Sequence, residues 1–247
     1  MRNIKLMLQF DGSCYHGWQV QPNAVTVQEV VSNAVFAVTG ERPNLIGCGR
    51  TDAGVHALRY VCNFRTNTRI PIEKIPYALN TKLPQDIVCH RAEDVPAGFH
   101  ANNSAVKKRY TYHILNTPLP DAFSYRYAWH YKAPLDVEAM RRAAKAFIGT
   151  HDFIGFASSG FTVQTTVRTI YSLQVGRRQD NIVLDIVGDG FLYNMVRIIT
   201  GTLAAAGSGR IPPEEMPEIL ASCDRSRAGI TAPPNGLFLS EVWYGER

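Results

Sequence analysis

The sequence GCGRTDAGVHA at residues 47–57 contains the densest group of side chains that could do chemistry. Asp52 stands between Arg50 and several small residues, and the glycines around it permit a tight, exposed backbone. A carboxylate in such a loop is accessible to a bulky substrate, on which it could act as a nucleophile or a base. The same residues are also typical of an Asx-turn, in which the aspartate only hydrogen-bonds its own backbone. Turn chemistry alone favours that structural interpretation.

The composition limits the classes of protein that this chain can be. It has 247 residues, of which 45% are hydrophobic and 19% are charged, so a disordered chain is excluded. The net charge is +5, and 19 of the 26 basic residues are arginines, which suit bidentate binding of phosphate or carboxylate. A charge of this size is by itself only a weak indicator of nucleic-acid binding.

The cysteines and the apolar segments indicate the cellular compartment in which the protein is expected. Five cysteines are scattered without a CxxC pair, which argues against a disulfide framework or a zinc site and favours reduced thiols. The N-terminus does not resemble a signal peptide, and no uncharged stretch is long and apolar enough to cross a bilayer. The sequence therefore predicts a soluble, cytoplasmic protein that binds neither metal nor membrane.

The loop around Asp52 lies in a first half that is predicted to have the order β-α-β-β-α-β. Thr26 begins a capping box, and the helical apolar pattern after it ends at Gly40. A second helix is predicted at residues 71–83, although Pro76 lies inside it. Apolar patterns predict the strands, which cover residues 3–10, 44–48, 58–64 and 86–95.

The second half repeats this order with one strand added. Its helices are predicted after a cap at Asp136 and at residues 195–203 and 213–221. Its predicted strands cover residues 105–115, 125–131, 167–175, 182–187 and 237–244.

Two such units predict an α+β fold of two ferredoxin-like (split βαβ) domains with antiparallel sheets and an active-site cleft between them. The N-terminal domain is expected at residues 1–103 and carries the Asp52 loop, and the C-terminal domain is expected at residues 104–247. Such sheets support quite different functions, so the function has to come from a site.

The whole string GRTDAGVHA at residues 49–57 resembles the signature of the tRNA pseudouridine synthase A (TruA) family. The resemblance covers nearly the full length in the family's order, and Asn194 stands where a histidine also fits the family pattern. The other similar segments are DG at 11–12, YHGWQ at 15–19, TVQ at 26–28, FHA at 99–101, KRYTY at 108–112, FLYNMVR at 191–197 and TAPPNGL at 231–237.

The resemblance implies an isomerase that breaks the C1′–N1 bond of a uridine in tRNA, turns the base and rejoins it through C5. It implies no cofactor and no metal, with Asp52 as the catalytic carboxylate. Whether this carboxylate attacks the sugar or the base, or removes a sugar proton, stays open. The family further implies targets at positions 38, 39 and 40 of the anticodon stem-loop, and a homodimer in which one tRNA contacts both subunits.

Three more residues complete the expected site. The resemblance implies that Tyr110 packs against the target uracil and that Arg197 pairs with Asp52 and keeps it ionised. The target uridine has to be flipped out, and Arg50, on the same side of an extended loop as Asp52, could hold a phosphate or fill the gap that the base leaves. The alternatives are a core aromatic for Tyr110, a surface salt bridge for Arg50 and a solvated helix arginine for Arg197. The candidates for further phosphate contacts are Lys107, Lys108, Arg109, Arg177 and Arg178.

Two other classes of protein compete with this interpretation. A non-catalytic RNA-binding protein of paired split βαβ sheets usually carries an RNP1 string, which residues 57–64 and 182–187 lack. A cofactor-free hydrolase that uses Asp52 would not require a basic surface. Formation of pseudouridine in tRNA separates all three.

Overall fold

The computed structural model describes residues 1–160 and 164–245 of the chain. The strands are β1 (Arg2–Phe10), β2 (Ile46–Gly47), β3 (His56–Thr66), β4 (Ile87–Val95), β5 (Ala105–Leu115), β6 (Trp129–His130), β7 (Gly149–Asp152), β8 (Val167–Arg178), β9 (Asn181–Gly188) and β10 (Leu237–Tyr244). The α-helices are α1 (Val27–Thr39), α2 (Ile75–Asn80), α3 (Val137–Ala144), α4 (Met195–Gly207) and α5 (Met216–Ala221). This mixture confirms the predicted α+β class.

The described residues form two compact units. The first contains residues 1–106 and the segment that begins at Phe238, and the second contains residues 107–237. The sequence analysis placed the boundary between residues 103 and 104 and did not predict the return of the last strand to the first unit. That residues 1–103 and 104–247 are separate domains stays a prediction.

The sheet of the first unit has the strand order β4-β1-β3-β10, with β2 paired to β3. The pairs β1–β3, β1–β4 and β2–β3 are antiparallel, and β10 runs parallel to β3. The alternating residues Ile4, Leu6, Leu8 and Phe10 of β1 are at most 2% exposed, as the sequence pattern predicts. One face of β1 therefore lies in the core of this unit.

Helix α1 begins and ends where the sequence predicts. The Thr26 hydroxyl accepts the Glu29 N–H at 3.4 Å, and Gly40 ends the helix with φ of 73°. The second predicted helix is shorter, because a 3-10 turn at Ile72–Lys74 precedes α2. Pro76 falls in the first turn of α2, where the missing N–H needs no partner, so proline is tolerated there.

The sheet of the second unit has the order β5-β9-β8-β7 with antiparallel neighbours, and β6 lies parallel to β5. The strand predicted at residues 125–131 is confirmed only at Trp129–His130. Before it, the N–H groups of Tyr127 and Ala128 both donate to the Ser124 carbonyl, which forms a turn instead. Strand β7 was not predicted, because its first residue, Gly149, also suits a helix end.

Helix α4 is the most deeply buried helix of the second unit. A β-carbon on Gly201 would lie 1.8 Å from the Ile230 carbonyl oxygen, so only glycine allows the segment before β10 to approach. None of the helices in the described residues is long and apolar enough to cross a membrane.

Candidate active site

Asp52 lies on the loop that joins β2 to β3. The carboxylate-bearing residue is half-buried, while its neighbours Thr51 and Val55 are buried. The Val55 N–H donates to the Asp52 carbonyl at 3.1 Å and closes a turn through Gly54, whose φ is 78°. The loop thus anchors both sides of Asp52 and leaves the residue itself accessible.

A second loop, at residues 12–18, packs backbone against backbone on the Asp52 loop. The Trp18 N–H donates to the Thr51 carbonyl at 3.3 Å, and the Gly54 N–H donates to the Tyr15 carbonyl at 3.1 Å. A β-carbon on Gly12 would lie 2.0 Å from the Val55 carbonyl oxygen, so only glycine fits at this contact.

Tyr15 fixes the base of this second loop. Its hydroxyl donates to Asp86 Oδ1 at 2.7 Å. Burial, followed by this hydrogen bond, raises the pKa of Tyr15 well above its usual range, so the phenol stays protonated and keeps donating. The contact ties residues 12–18 to the turn that precedes β4.

His56 has a structural position directly after the loop. The side chain is 1% exposed, and its Nδ1 lies 3.0 Å from the Gly12 nitrogen and 3.1 Å from Asp11 Oδ1. Its ring stacks on Phe238 with a centroid distance of 4.6 Å. A histidine enclosed in this way supports the backbone of both loops.

Tyr60 and Trp18 brace the start of the loop. Their rings stack at a centroid distance of 4.2 Å, and the Tyr60 hydroxyl donates to the Gly49 carbonyl at 2.5 Å. A β-carbon on Gly47 would lie 2.1 Å from that hydroxyl, so the glycine at this position lets the aromatic pair reach the backbone.

Arg50 is exposed, two residues before Asp52. Within the described residues its guanidinium forms no hydrogen bond and no ion pair. The alternative interpretation, in which Arg50 forms a surface salt bridge, therefore finds no such bridge within the described residues. The guanidinium is available for an anion.

Tyr110 lies on β5, opposite Ile186 of β9. It shares a strand face with Tyr112 and Ile114, which are completely buried, but Tyr110 itself is only half-buried. Its ring meets Phe191 edge-on, at a centroid distance of 5.2 Å. Tyr110 thus ends a buried row with a partly accessible ring.

Arg197 lies in the first turn of α4 and is half-buried. Its Nε donates to the Ala232 carbonyl and its Nη1 to Asn194 Oδ1, each at 2.7 Å. Asn194 holds a left-handed conformation with φ of 61°, before the helix. Burial raises the pKa of Tyr112, and the positive charge of Arg197 lowers it in part. This half-buried, hydrogen-bonded environment differs from that of a solvated helix arginine, which was the alternative interpretation.

The four predicted site residues fall into two pairs. Asp52 and Arg50 share one loop of the first unit, and Tyr110 and Arg197 belong to the second unit. The pairing of Arg197 with Asp52 stays a prediction.

The predicted phosphate contacts have different surroundings. Arg109 already holds Asp185, with Nε–Oδ1 and Nη2–Oδ2 distances of 2.6 and 2.5 Å. Lys107 lies 4.7 Å from the Tyr171 ring centroid, and Arg177 donates to Asn116. Arg178 is exposed at the end of β8.

Sequence reasoning left the supporting residues of the loop without a role. Gly12, Gly17 and Trp18 belong to the DG and YHGWQ segments, so the motifs contained the signal. Thr51 likewise belongs to the GRTDAGVHA segment, and its buried hydroxyl has no hydrogen-bond partner among the described residues. Nowhere in residues 1–160 and 164–245 do three or more His, Cys, Asp or Glu side chains form a group that could hold a metal ion.

A half-buried carboxylate two residues after an exposed arginine, on a braced loop of the first unit, is an arrangement typical of an enzyme. The family model described as tRNA pseudouridine synthase matches residues 6–102 and 143–245. The chain belongs to this tRNA pseudouridine synthase family, and so to the isomerases that act on uridine in tRNA.

Curated relatives agree over the whole length. The tRNA pseudouridine synthase A of Thermoanaerobacter sp. (strain X514) is 53% identical over 99% of this chain and 100% of its own length. The proteins of the same description from Acetivibrio thermocellus and Brevibacillus brevis are 50% and 47% identical with the same coverage. Among solved structures, the crystal structure of the archaeal box H/ACA sRNP Nop10-Cbf5 complex matches with a TM-score of 0.39 and 11% identity. That match covers 81% of this chain and 43% of that chain.

Proposed function

We propose that this chain converts the uridines at positions 38, 39 and 40 of the tRNA anticodon stem-loop to pseudouridine, with Asp52 as the catalytic carboxylate and no cofactor. The observation that carries the proposal is the half-buried Asp52 on a loop whose neighbours Thr51 and Val55 are buried. Full-length similarity to tRNA pseudouridine synthases A gives this carboxylate its substrate class.

The reaction needs a carboxylate in a fixed place more than it needs any other group. The C1′–N1 bond breaks, a C1′–C5 bond forms, the proton on C5 leaves and N1 gains one. A carboxylate beside the sugar and the base can assist as a nucleophile or as a base, provided that it stays ionised and positioned. The close contacts of Gly12 and Gly17 with the Asp52 loop support such positioning.

The other three residues have complementary proposed roles. Arg50 contacts an RNA phosphate or fills the gap that the flipped uridine leaves, which its exposure and available guanidinium support. Tyr110 packs against the uracil, which its partly accessible ring supports. Arg197 acts as the counter-ion of Asp52, which its half-buried, hydrogen-bonded guanidinium supports.

The wider setting is also part of the proposal. We propose a cytoplasmic homodimer in which one tRNA contacts both subunits. The net charge of +5 and the excess of arginine support binding of a polyanion.

The test uses tRNA that carries tritium at C5 of its uridines. Each isomerisation releases that label to water, because C5 exchanges its hydrogen for C1′. We expect release from wild-type tRNA, and a stepwise decrease when uridines 38, 39 and 40 are replaced by cytidine. Binding without release would indicate an RNA-binding protein, free uracil would indicate a hydrolase, and release from other positions would contradict the proposed target.

A further inference from the structure

A polar pocket borders the Asp52 loop on the side of Arg50. It has a volume of about 210 Å³, and its walls include Trp18, Gln19, Gln28, Arg50 and Asn102. Pockets for drug-sized ligands usually measure about 300–1,000 Å³, so this one suits a smaller group such as a single nucleobase. No carboxylate lines it, and Arg50 is its only charged wall residue.

The amides of the pocket differ in what they already bind. Gln28 is engaged at both ends of its amide, because its Oε1 accepts the Val20 N–H and its Nε2 donates to the Leu45 carbonyl, both at 3.0 Å. Gln19 is exposed, and within the described residues its side chain makes no hydrogen bond. A primary amide with its donor and acceptor both available matches the polar edge of a base in RNA.

Trp18 supplies a second available group. The residue is only 3% exposed, yet its indole N–H makes no hydrogen bond within the part of the chain that the structure describes. A β-carbon on the wall residue Gly47 would lie 2.5 Å from this nitrogen, which places the N–H at the pocket. Among the described residues the buried side-chain atom without a partner is Thr51 Oγ1, so the Trp18 nitrogen keeps access to the pocket, where an acceptor on a ligand can reach it.

We propose that this pocket binds the base of a nucleotide that adjoins the target uridine, an inference that rests on the proposed function. The Gln19 amide and the Trp18 N–H contact the polar edge of the base, and Arg50 holds the phosphate between the two nucleotides. The position of Arg50 two residues before Asp52 makes the neighbour of the flipped uridine the fitting occupant.

The test combines an enzyme variant with a modified RNA. Gln19→Ala is compared with the wild-type enzyme on intact tRNA and on tRNAs that lack the base immediately 5′ or 3′ of the target. We expect Gln19→Ala to raise KM on intact tRNA about fivefold, the effect of one hydrogen bond, with kcat retained. On the tRNA that lacks the bound neighbour, the wild-type enzyme and the variant should have equal KM values. Comparison of the tRNA without the 5′ base and the tRNA without the 3′ base therefore shows which neighbour the pocket binds. Gln85→Ala, which alters an exposed glutamine of the same unit outside the pocket, should behave as wild type on every RNA.

The inference and the proposed function fail in different ways. If Gln19→Ala leaves KM unchanged, or raises it equally on intact tRNA and on both tRNAs with a missing base, the pocket does not bind a neighbouring base. In that case wild-type release of tritium from intact tRNA still upholds the proposed function. If the wild-type enzyme releases no tritium from any RNA, both are overturned.

Discussion

Gly17 and Thr51 approach each other more closely than a β-carbon on Gly17 would allow. Such a carbon would lie 2.2 Å from the Thr51 carbonyl oxygen, and Gly17 also has a φ of 82°, which L-residues rarely adopt. Thr51 directly precedes Asp52, and its carbonyl accepts the Trp18 N–H. The glycine therefore helps to set the position of the proposed catalytic carboxylate.

Gly17→Ala should impair both folding stability and turnover. The left-handed backbone costs about 1–2 kcal/mol for an L-residue, and the clash with Thr51 has to be relieved by moving the Asp52 loop. Gly40→Ala is the matched control, since Gly40 has a φ of 73° but nothing within 4 Å of a β-carbon. Thermal unfolding and tritium release should show a stability loss in both variants and a loss of kcat only in Gly17→Ala. Equal kcat in the two would contradict the positioning role.

Thr51→Val should stabilise the protein. The buried Thr51 hydroxyl has no partner among the described residues, and such a group costs about 1–3 kcal/mol. Valine keeps the shape without the hydroxyl, so the free energy of unfolding should rise by about 1 kcal/mol with little change in kcat. Denaturant unfolding measures this, and a lower stability would mean that the hydroxyl has a partner in solution.

The ion pairs of Glu93 should make the free energy of unfolding depend on pH. The hydrogen bond and charge of Lys5, with Arg91 at 2.5 Å from Glu93 Oε1, hold the pKa of Glu93 below its ordinary value of 4.5. A lowered pKa stabilises the folded state above the unfolded-state value, and this contribution is lost as the pH falls through the lowered pKa. Glu93→Gln should therefore cost up to about 1 kcal/mol at pH 7 and progressively less below pH 4.5.

The control for this measurement is Glu215→Gln, which changes an exposed glutamate that forms no ion pair among the described residues. Unfolding of both variants is followed across the same pH range. A Glu93→Gln deficit that persists unchanged in acid would show that the ion pairs are not its cause.

Arg197→Met should change the pH–rate profile. Without the proposed counter-ion, the carboxylate of Asp52 becomes protonated at higher pH, so the acidic limb should move upward and activity should partly recover as the pH rises. Arg197→Lys retains the charge and should move the limb back. Because Arg197 also holds the Ala232 carbonyl, folding of each variant is checked by circular dichroism. An unshifted limb in folded Arg197→Met would contradict the counter-ion role.

Local signals in the sequence were sufficient for the elements that depend on neighbouring residues. Helix α1 follows from the Thr26 cap, the apolar spacing and Gly40, and β1 follows from its alternation. At residues 125–128 alternation was misleading, because the backbone bonds to Ser124 form a turn that exposes Tyr125 and Tyr127. Periodicity does not distinguish exposed aromatics from a strand face.

Contacts between residues far apart in the chain could not be predicted from the sequence pattern. The parallel pairing of β10 with β3 joins Phe238 to His56, and no local pattern specifies that partner. The same holds for the candidate site. Motif resemblance predicted Asp52 and the two arginines as site residues. It did not predict the close contacts that require glycine at positions 12 and 17, because these contacts depend on how two loops pack. The spacing of residues along the chain does not predict how two loops pack against each other.

The most direct test of the account is tritium release by Asp52→Asn from C5-labelled tRNA, measured together with tRNA binding. The amide nearly keeps the size and polarity of the side chain but cannot act as a nucleophile or base. The account predicts no release above background, with tRNA affinity near that of wild type. Near-normal turnover by Asp52→Asn would mean that Asp52 is not the catalytic carboxylate and would contradict the central claim.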